Sequence, residues 1–276
     1  MKIGIIGLGL IGGSMAMSIR RHTGHTVFGY DIDRQVVLRA RAVEAIHDEL
    51  TEDMLPGCDV VLVCLFPQLC ADWITSHADA FGDGALVIDC AGVKRHVMKQ
   101  VAPLAAERHW TYIGGHPMAG REFSGFTAAR ADLFENASMI LCPPPEAPIE
   151  AREAAKAFFL EAGFKSVRFS TPEAHDQMIA YTSQLAHVVS GAYVKNPLAR
   201  DHKGFSAGSF LDMTRVARMN EVMWTELFLE NGDLLLPALD DLILRLQQYR
   251  DALATGSPEK LMPVLREGRE CKEALD

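Results

Sequence analysis

Lys2-Ile3-Gly4-Ile5-Ile6-Gly7-Leu8-Gly9-Leu10-Ile11-Gly12 is the stretch that decides the fold. An apolar run of strand length leads directly into glycines spaced G-x-G-x-x-G, and residues 14–21 beyond them carry helical periodicity. Strand, tight turn and helix in that order make a dinucleotide-binding turn. Gly7 permits the turn, Gly9 lets a pyrophosphate approach the backbone, and Gly12 allows close packing of helix on strand. Leu10 and Ile11 then open a helix whose N-terminus faces the anion. The second strand-like run, 26–30, ends beside Asp31, a little over about 20 residues after the turn. A carboxylate there accepts hydrogen bonds from the adenine ribose hydroxyls and repels the 2′-phosphate of NADP, which favours NAD. Arg34 softens that discrimination only if it turns toward the ribose; as an exposed residue at a helix start it has an ordinary explanation.

Outward from this turn, apolar runs at 60–65, 85–89, 112–114, 137–142 and 166–169 alternate with helical stretches at 34–42, near 70–77, at 96–108 and at 150–162. That alternation predicts an α/β Rossmann-type doubly wound sheet. The strand signal stops at Thr171-Pro172-Glu173, a helix start, and the remainder of the chain reads as all-α. The expected organisation is a dinucleotide-binding domain at 1–170 and a helical substrate and dimerisation domain at 171–276. Residues 227–253 are the most apolar long helical region, with leucines on more than one face. Such a helix must be buried against several neighbours, so a homodimer through the helical domain is expected, with a purely intramolecular core as the alternative.

Composition excludes other classes. The 276 residues are 49% hydrophobic, ample for a large core, and the net charge of −9 leaves no extended basic surface for nucleic acid. No apolar run reaches the roughly 20 residues of a membrane span, so no membrane partner is expected. The N-terminus opens on a strand instead of an export signal. The six cysteines form no C-x-x-C pair and fall largely in apolar runs. Buried free thiols, a cytoplasmic location and no metal site follow as expectations.

Candidate chemistry gathers in three places. Gly114-Gly115-His116-Pro117-Met118-Ala119-Gly120 presents one imidazole in what reads as a glycine-flanked loop just past a strand, suited to handling a substrate proton unless it is a plain turn histidine. Ser183 and His187, four apart, stand on one face of a helix expected over 173–195. Arg215, in the stretch Phe210–Arg215 that reads as the beginning of another helix, suits bidentate binding of a carboxylate. Arg200, Lys203 and Arg218 add positive charge; a solvated charged face explains such a cluster, and so does a small anionic substrate, which is the expected partner.

Together these stretches resemble the prephenate/arogenate (cyclohexadienyl) dehydrogenase family of tyrosine biosynthesis over essentially the whole chain. The matching residues are Gly7-x-Gly9-Leu10-Ile11-Gly12-Gly13-Ser14, Asp89-x-x-x-Val93-Lys94, His116-Pro117-Met118-Ala119-Gly120 with Glu122, Ser183-Gln184-Leu185-x-His187, and Asp212-x-Thr214-Arg215 leading to Trp224. The resemblance implies NAD-dependent oxidative decarboxylation of prephenate to 4-hydroxyphenylpyruvate, or of arogenate to tyrosine. It implies that His116 bonds the ring hydroxyl as general base, that Arg215 binds a substrate carboxylate, that Ser183 and His187 contact substrate, and that Glu122 sets polarity or gates the pocket mouth. Some relatives carry, at the position of Gly92, a serine whose hydroxyl bonds the catalytic histidine. Here that hydroxyl is absent: either water or a backbone carbonyl fixes the His116 tautomer, or the loop depends on Gly92 for its conformation.

Two other readings stay open at this stage. β-Hydroxyacid dehydrogenases share a glycine-rich nucleotide domain but use a lysine with an asparagine one turn later, a spacing that the adjacent Lys195 and Asn196 lack. A noncatalytic NAD-sensing module would need neither His116 nor Arg215.

Overall fold

The computed structural model describes residues 1–121 and 123–275; Glu122 lies outside the described residues. Along the chain run β1 (Lys2–Ile6), α1 (Leu10–His22), β2 (Thr26–Tyr30), α2 (Arg34–Ala42), β3 (Asp48–Glu49), β4 (Val60–Val63), α3 (Pro67–Ser76), β5 (Leu86–Asp89) and α4 (Arg95–Ala106). β6 (Thr111–Pro117), β7 (Ser138–Cys142), α5 (Ile149–Glu161) and β8 (Ser166–Phe169) complete one sheet of order β3-β2-β1-β4-β5-β6-β7-β8. The order reverses between β1 and β4, which opens a crevice at the carboxyl ends of the strands. Strand alternation builds a core on each side. Val60 and Leu62 join the cluster that includes Ile3, Ile5 and Met15, while Val61 and Val63 join the one around Ile6, Ile74 and Val97.

Two features of the sheet differ from the sequence expectation. β7 pairs antiparallel with β6, because the connection from Pro117 to Ser138 holds no crossover helix to return the chain to the same edge. β6 also runs three residues further than expected, with His116 opposite Ile140 and Pro117 opposite Met139. His116 therefore sits on a strand end and not in a loop. Gly115 serves close packing there: a Cβ would come 2.6 Å from the Asp89 carbonyl oxygen. Five of the free cysteines are buried or half-buried as expected, and Cys271 is exposed.

Beyond β8 come α6 (Pro172–Ile179), a π-helical segment Ala180–Leu185, α7 (Ala186–Tyr193), α8 (Gly208–Thr214) and a 3-10 turn Arg215–Ala217. Then come α9 (Glu221–Glu230), α10 (Gly232–Ala254) and α11 (Pro258–Glu273). The unbroken helix expected over 227–253 is interrupted at Asn231, which is fully buried. Its amide donates to the Asp176 carbonyl at 2.9 Å and to Gln184 Oε1 at 2.8 Å. No helix among the described residues is long and apolar enough to cross a membrane.

The helical part docks on the sheet part by placing carboxylates at helix N-termini, where free N–H groups and the helix dipole favour negative charge. Asp176 accepts the N–H groups of Lys94 and Arg95 at the start of α4, at 2.8 and 2.9 Å. Glu226 accepts the Gln68 N–H at the start of α3, at 2.6 Å. Arg95 closes the contact through two bonds to Asp233, at 2.7 and 2.8 Å, and one to Asn231 at 2.9 Å.

Glu230 lies on the same seam, its side chain 10% exposed and 3.3 Å from His96 Nε2. Burial, then the charges of Glu226 and Asp176, push its carboxyl up to about 8. The folded chain thus keeps a proton that the unfolded chain releases above about 4.5. The stability linked to this proton is complete below that lower value and is lost as pH rises through the upper one. Glu230→Gln, which cannot ionise, is expected to show a shallower fall of the thermal midpoint between about pH 5 and 9 than the parent. Parallel melting curves across that range would show that Glu230 does not titrate in this way.

Candidate active site

The glycine turn has the local geometry of a phosphate cradle. Gly7 has a φ of +82°, a conformation that side chains disfavour, and its N–H bonds the Tyr30 carbonyl at 2.8 Å. A Cβ on Gly12 would sit 1.9 Å from the Gly7 carbonyl oxygen, so helix and turn touch only because Gly12 lacks one. Gly9, by contrast, faces open space. α1 begins at Leu10 with no side-chain cap and no acidic residue in its first turn. Its leading N–H groups, those of Leu10 and Ile11 included, have no helix carbonyl to bond and suit an anion. Asp31 sits at the same edge, half-buried. Its carboxylate takes the Leu8 N–H and the Asp33 N–H, each at 2.9 Å, and each oxygen retains a lone pair for a ribose hydroxyl. These residues fit a dinucleotide.

His116 is the penultimate residue of β6, at the same carboxyl edge of the sheet, and is half-buried. Beneath it, Lys94 is fully buried and bonds both Asp89 and the Gly115 carbonyl. Tyr112 donates its hydroxyl to Asp89 at 2.6 Å. His116 Nδ1 lies 2.9 Å from His175 Nε2, and His175 Nδ1 lies 2.7 Å from Asp176 Oδ1. Burial, then the neighbouring His175 and Lys94, push the His116 ring well below the ordinary imidazole value of 6.5. Gly92 lies against α9: a Cβ there would be 3.0 Å from Leu227 Cδ2.

From the helical part, Ser183, His187 and Arg215 form a second group. Ser183 belongs to the π-helical segment and His187 to α7. His187 Nδ1 donates to the Ser183 carbonyl at 2.8 Å, and its ring packs on Trp224 with centroids 3.8 Å apart. Burial, together with the nearby charge of Arg215, keeps the His187 ring below its usual range. His116 contacts His175 on α6, and the helical path from α6 leads through the π-helical segment to Ser183 and His187. Arg218 lies over the Phe123 ring, 5.5 Å from its centroid, which ties the segment after β6 to the basic end of the helical part. No cluster of metal-ligating side chains occurs among the described residues.

His175 and Asp176 were not marked by the sequence motifs. Their signal was faint: Glu173-Ala174-His175-Asp176 follows a helix start, where acidic residues are common for reasons of helix dipole alone. Only the packing of α6 against α4 reveals where they point.

Comparison with known proteins agrees with this geometry. Residues 15–168 match the family described as prephenate dehydrogenase, nucleotide-binding domain, and residues 171–267 match prephenate dehydrogenase, dimerization domain. The chain is similar to the cyclohexadienyl dehydrogenase of Zymomonas mobilis, with 31% identity over 99% of this chain and 95% of the relative. It is 29% identical to the prephenate dehydrogenase of Bacillus subtilis over 98% of this chain and 75% of that one. Among solved structures, Aquifex aeolicus prephenate dehydrogenase in complex with hydroxyphenyl propionate and NAD+ superposes with a TM-score of 0.86 at 25% identity, covering 100% of this chain and 98% of the other. Synechocystis arogenate dehydrogenase gives 0.82 at 26% identity over the full length of both. A 3-hydroxyisobutyrate dehydrogenase from Mycobacterium tuberculosis, at 18% identity and a TM-score of 0.56, shares the fold alone. The chain belongs to the prephenate dehydrogenase family and is an NAD-dependent oxidoreductase.

Proposed function

We propose that the enzyme oxidatively decarboxylates prephenate to 4-hydroxyphenylpyruvate, with residues 1–170 binding dinucleotide and 171–276 supplying the substrate contacts and the dimer interface. The observation that carries this proposal is a low-pKa histidine, His116, ending a strand at the same sheet edge as the glycine turn. Gly7, Gly9, Leu10, Ile11, Gly12 and Asp31 would hold NAD, which when bound accepts hydride from the ring carbon that carries the hydroxyl. His116 takes the proton of that hydroxyl as hydride leaves, CO2 departs from the ring carboxylate and the ring becomes aromatic. A ring titrating below the usual range is neutral near pH 7, the form that a general base needs. Arg215 binds a substrate carboxylate, Ser183 and His187 contact the substrate, and Glu122 would act at the pocket mouth. His187 and the basic residues around it favour the keto acid of prephenate; the amino acid of arogenate is the alternative, supported by the likeness to an arogenate dehydrogenase. Exposed apolar residues on α10 and α11, among them Leu236, Leu246, Leu253, Met262 and Leu265, support a homodimer through the helical part. A cytoplasmic location fits a small-molecule biosynthetic role.

NADH formation measured side by side with prephenate and arogenate tests the reaction; turnover of neither, with NADH binding intact, would favour a sensing module instead. His116→Asn is expected to lower kcat by about 10²-fold or more while NAD affinity stays close to the parent's. Unchanged turnover would remove His116 from its role. Arg215→Ala is expected mainly to raise KM, by at least about tenfold if a charge-assisted pair is lost, and an effect confined to kcat would argue against carboxylate binding. In the parent enzyme the acid limb of kcat/KM should fall below the ordinary imidazole value of 6.5; a limb above that value would contradict the assignment.

A further inference from the structure

The structure assigns His175 and Asp176 as a positioning pair for His116, fixing its neutral ring with the proton on Nδ1 and Nε2 bare, and supporting the cation formed when Nε2 takes a proton. This rests on His116 being the base. The tautomers are set in turn by elimination along the chain of contacts. An ionised Asp176 carboxylate can only accept, so at 2.7 Å the proton between it and His175 belongs to His175 Nδ1. The remaining nitrogen of a neutral His175, Nε2, is then an acceptor. Across 2.9 Å it requires a donor, and that donor is His116 Nδ1–H. His116 Nε2 is left with its lone pair.

The opposite arrangement needs a protonated His175, and the surroundings resist it. His175 is 2% exposed. Burial and the Lys94 ammonium disfavour a cation there, outweighing Asp176 and Asp89, and its ring titrates below the usual range. Asp176 cannot turn away to release it, because Oδ1 also takes the Lys94 N–H and Oδ2 takes the Arg95 N–H and Nε–H. The charged groups around the two rings are thus Lys94, Asp89, Arg95 and Asp176. Of the two anions, Asp89 is occupied by Lys94 and Tyr112. Asp176 alone is in line with the imidazoles.

The pair also accounts for Gly92. A Cβ there would stand 3.0 Å from Leu227 Cδ2, the end of a flexible side chain, and with His175 in place no hydroxyl is required to orient His116. One consequence is that the base on β6 is set by two residues of α6. His116 is competent only while the helical part is docked on the sheet part.

The test joins 15N NMR of the histidine rings in the resting full-length protein with kinetics of His175→Gln and His175→Ala. In the parent, His116 should show a protonated Nδ1 and an unprotonated Nε2. His175→Gln keeps an acceptor oxygen for His116 Nδ1–H but cuts the path to Asp176. It should lower kcat by about 10- to 100-fold, leave KM within about twofold, and displace the acid limb of the kcat profile from the parent's. His175→Ala should lose more and show both His116 tautomers. His116 protonated at Nε2 in the parent would overturn the assignment, as would a His175→Gln enzyme with the parent's kcat and pH profile. The NMR result needs no turnover: the expected tautomer in a protein that oxidises neither prephenate nor arogenate would uphold the pair while defeating the proposed reaction.

Discussion

One carboxylate, that of Asp176, holds the two parts of the molecule in register. It is 1% exposed, and a buried anion is tolerated only when its acceptor sites are filled. They are: Oδ1 takes the Lys94 N–H and His175 Nδ1–H, and Oδ2 takes the Arg95 N–H and Nε–H. Burial by itself would raise its pKa, yet the donors from His175, Lys94 and Arg95 hold it below the usual carboxylate range. Losing that charge would leave the first N–H groups of α4, a guanidinium and a histidine without their acceptor together. The cost would fall on docking and on the site at once.

Below this junction lies a second buried ionic group, Lys94 with Asp89 and Tyr112. Burying such a pair contributes little net stability, because desolvation offsets much of the attraction. What it does accomplish is geometric. Lys94 is the residue before α4, Asp89 ends β5 and Gly115 precedes His116 on β6, so the two bonds of Lys94, together with the β5–β6 pairing, fix the end of β6 against its neighbours. Tyr112 is pushed well above the ordinary phenol range, by burial first and then by the Asp89 charge, and stays a neutral donor. His116 stands on a base with little freedom to shift.

Local chemistry made much of this legible in the chain. The glycine turn, Asp31 and the alternating apolar runs report on backbone conformation and on which faces are buried, and both act over a few residues. Two of the turn's glycines are fixed locally, Gly7 by its positive φ and Gly12 by the Gly7 carbonyl against which it packs. His116 stood out for its glycine and proline neighbours, although the expected loop proved to be the end of a strand. Less legible were the antiparallel β7, the π-helical segment that carries Ser183, and the break at Asn231, whose side chain serves Asp176 and Gln184 across the helical part.

The sequence by itself thus determined the dinucleotide turn, the class of fold and the candidate base, since each depends on neighbours in the chain. Only the tertiary structure decided what orients that base. His175 lies 59 positions from His116, and Asp176 lies 82 from Lys94. Nothing in local spacing marks a histidine and an aspartate in a helix's first turns as anything but a helix start, and their role appears only when α6 is packed against α4 and β6.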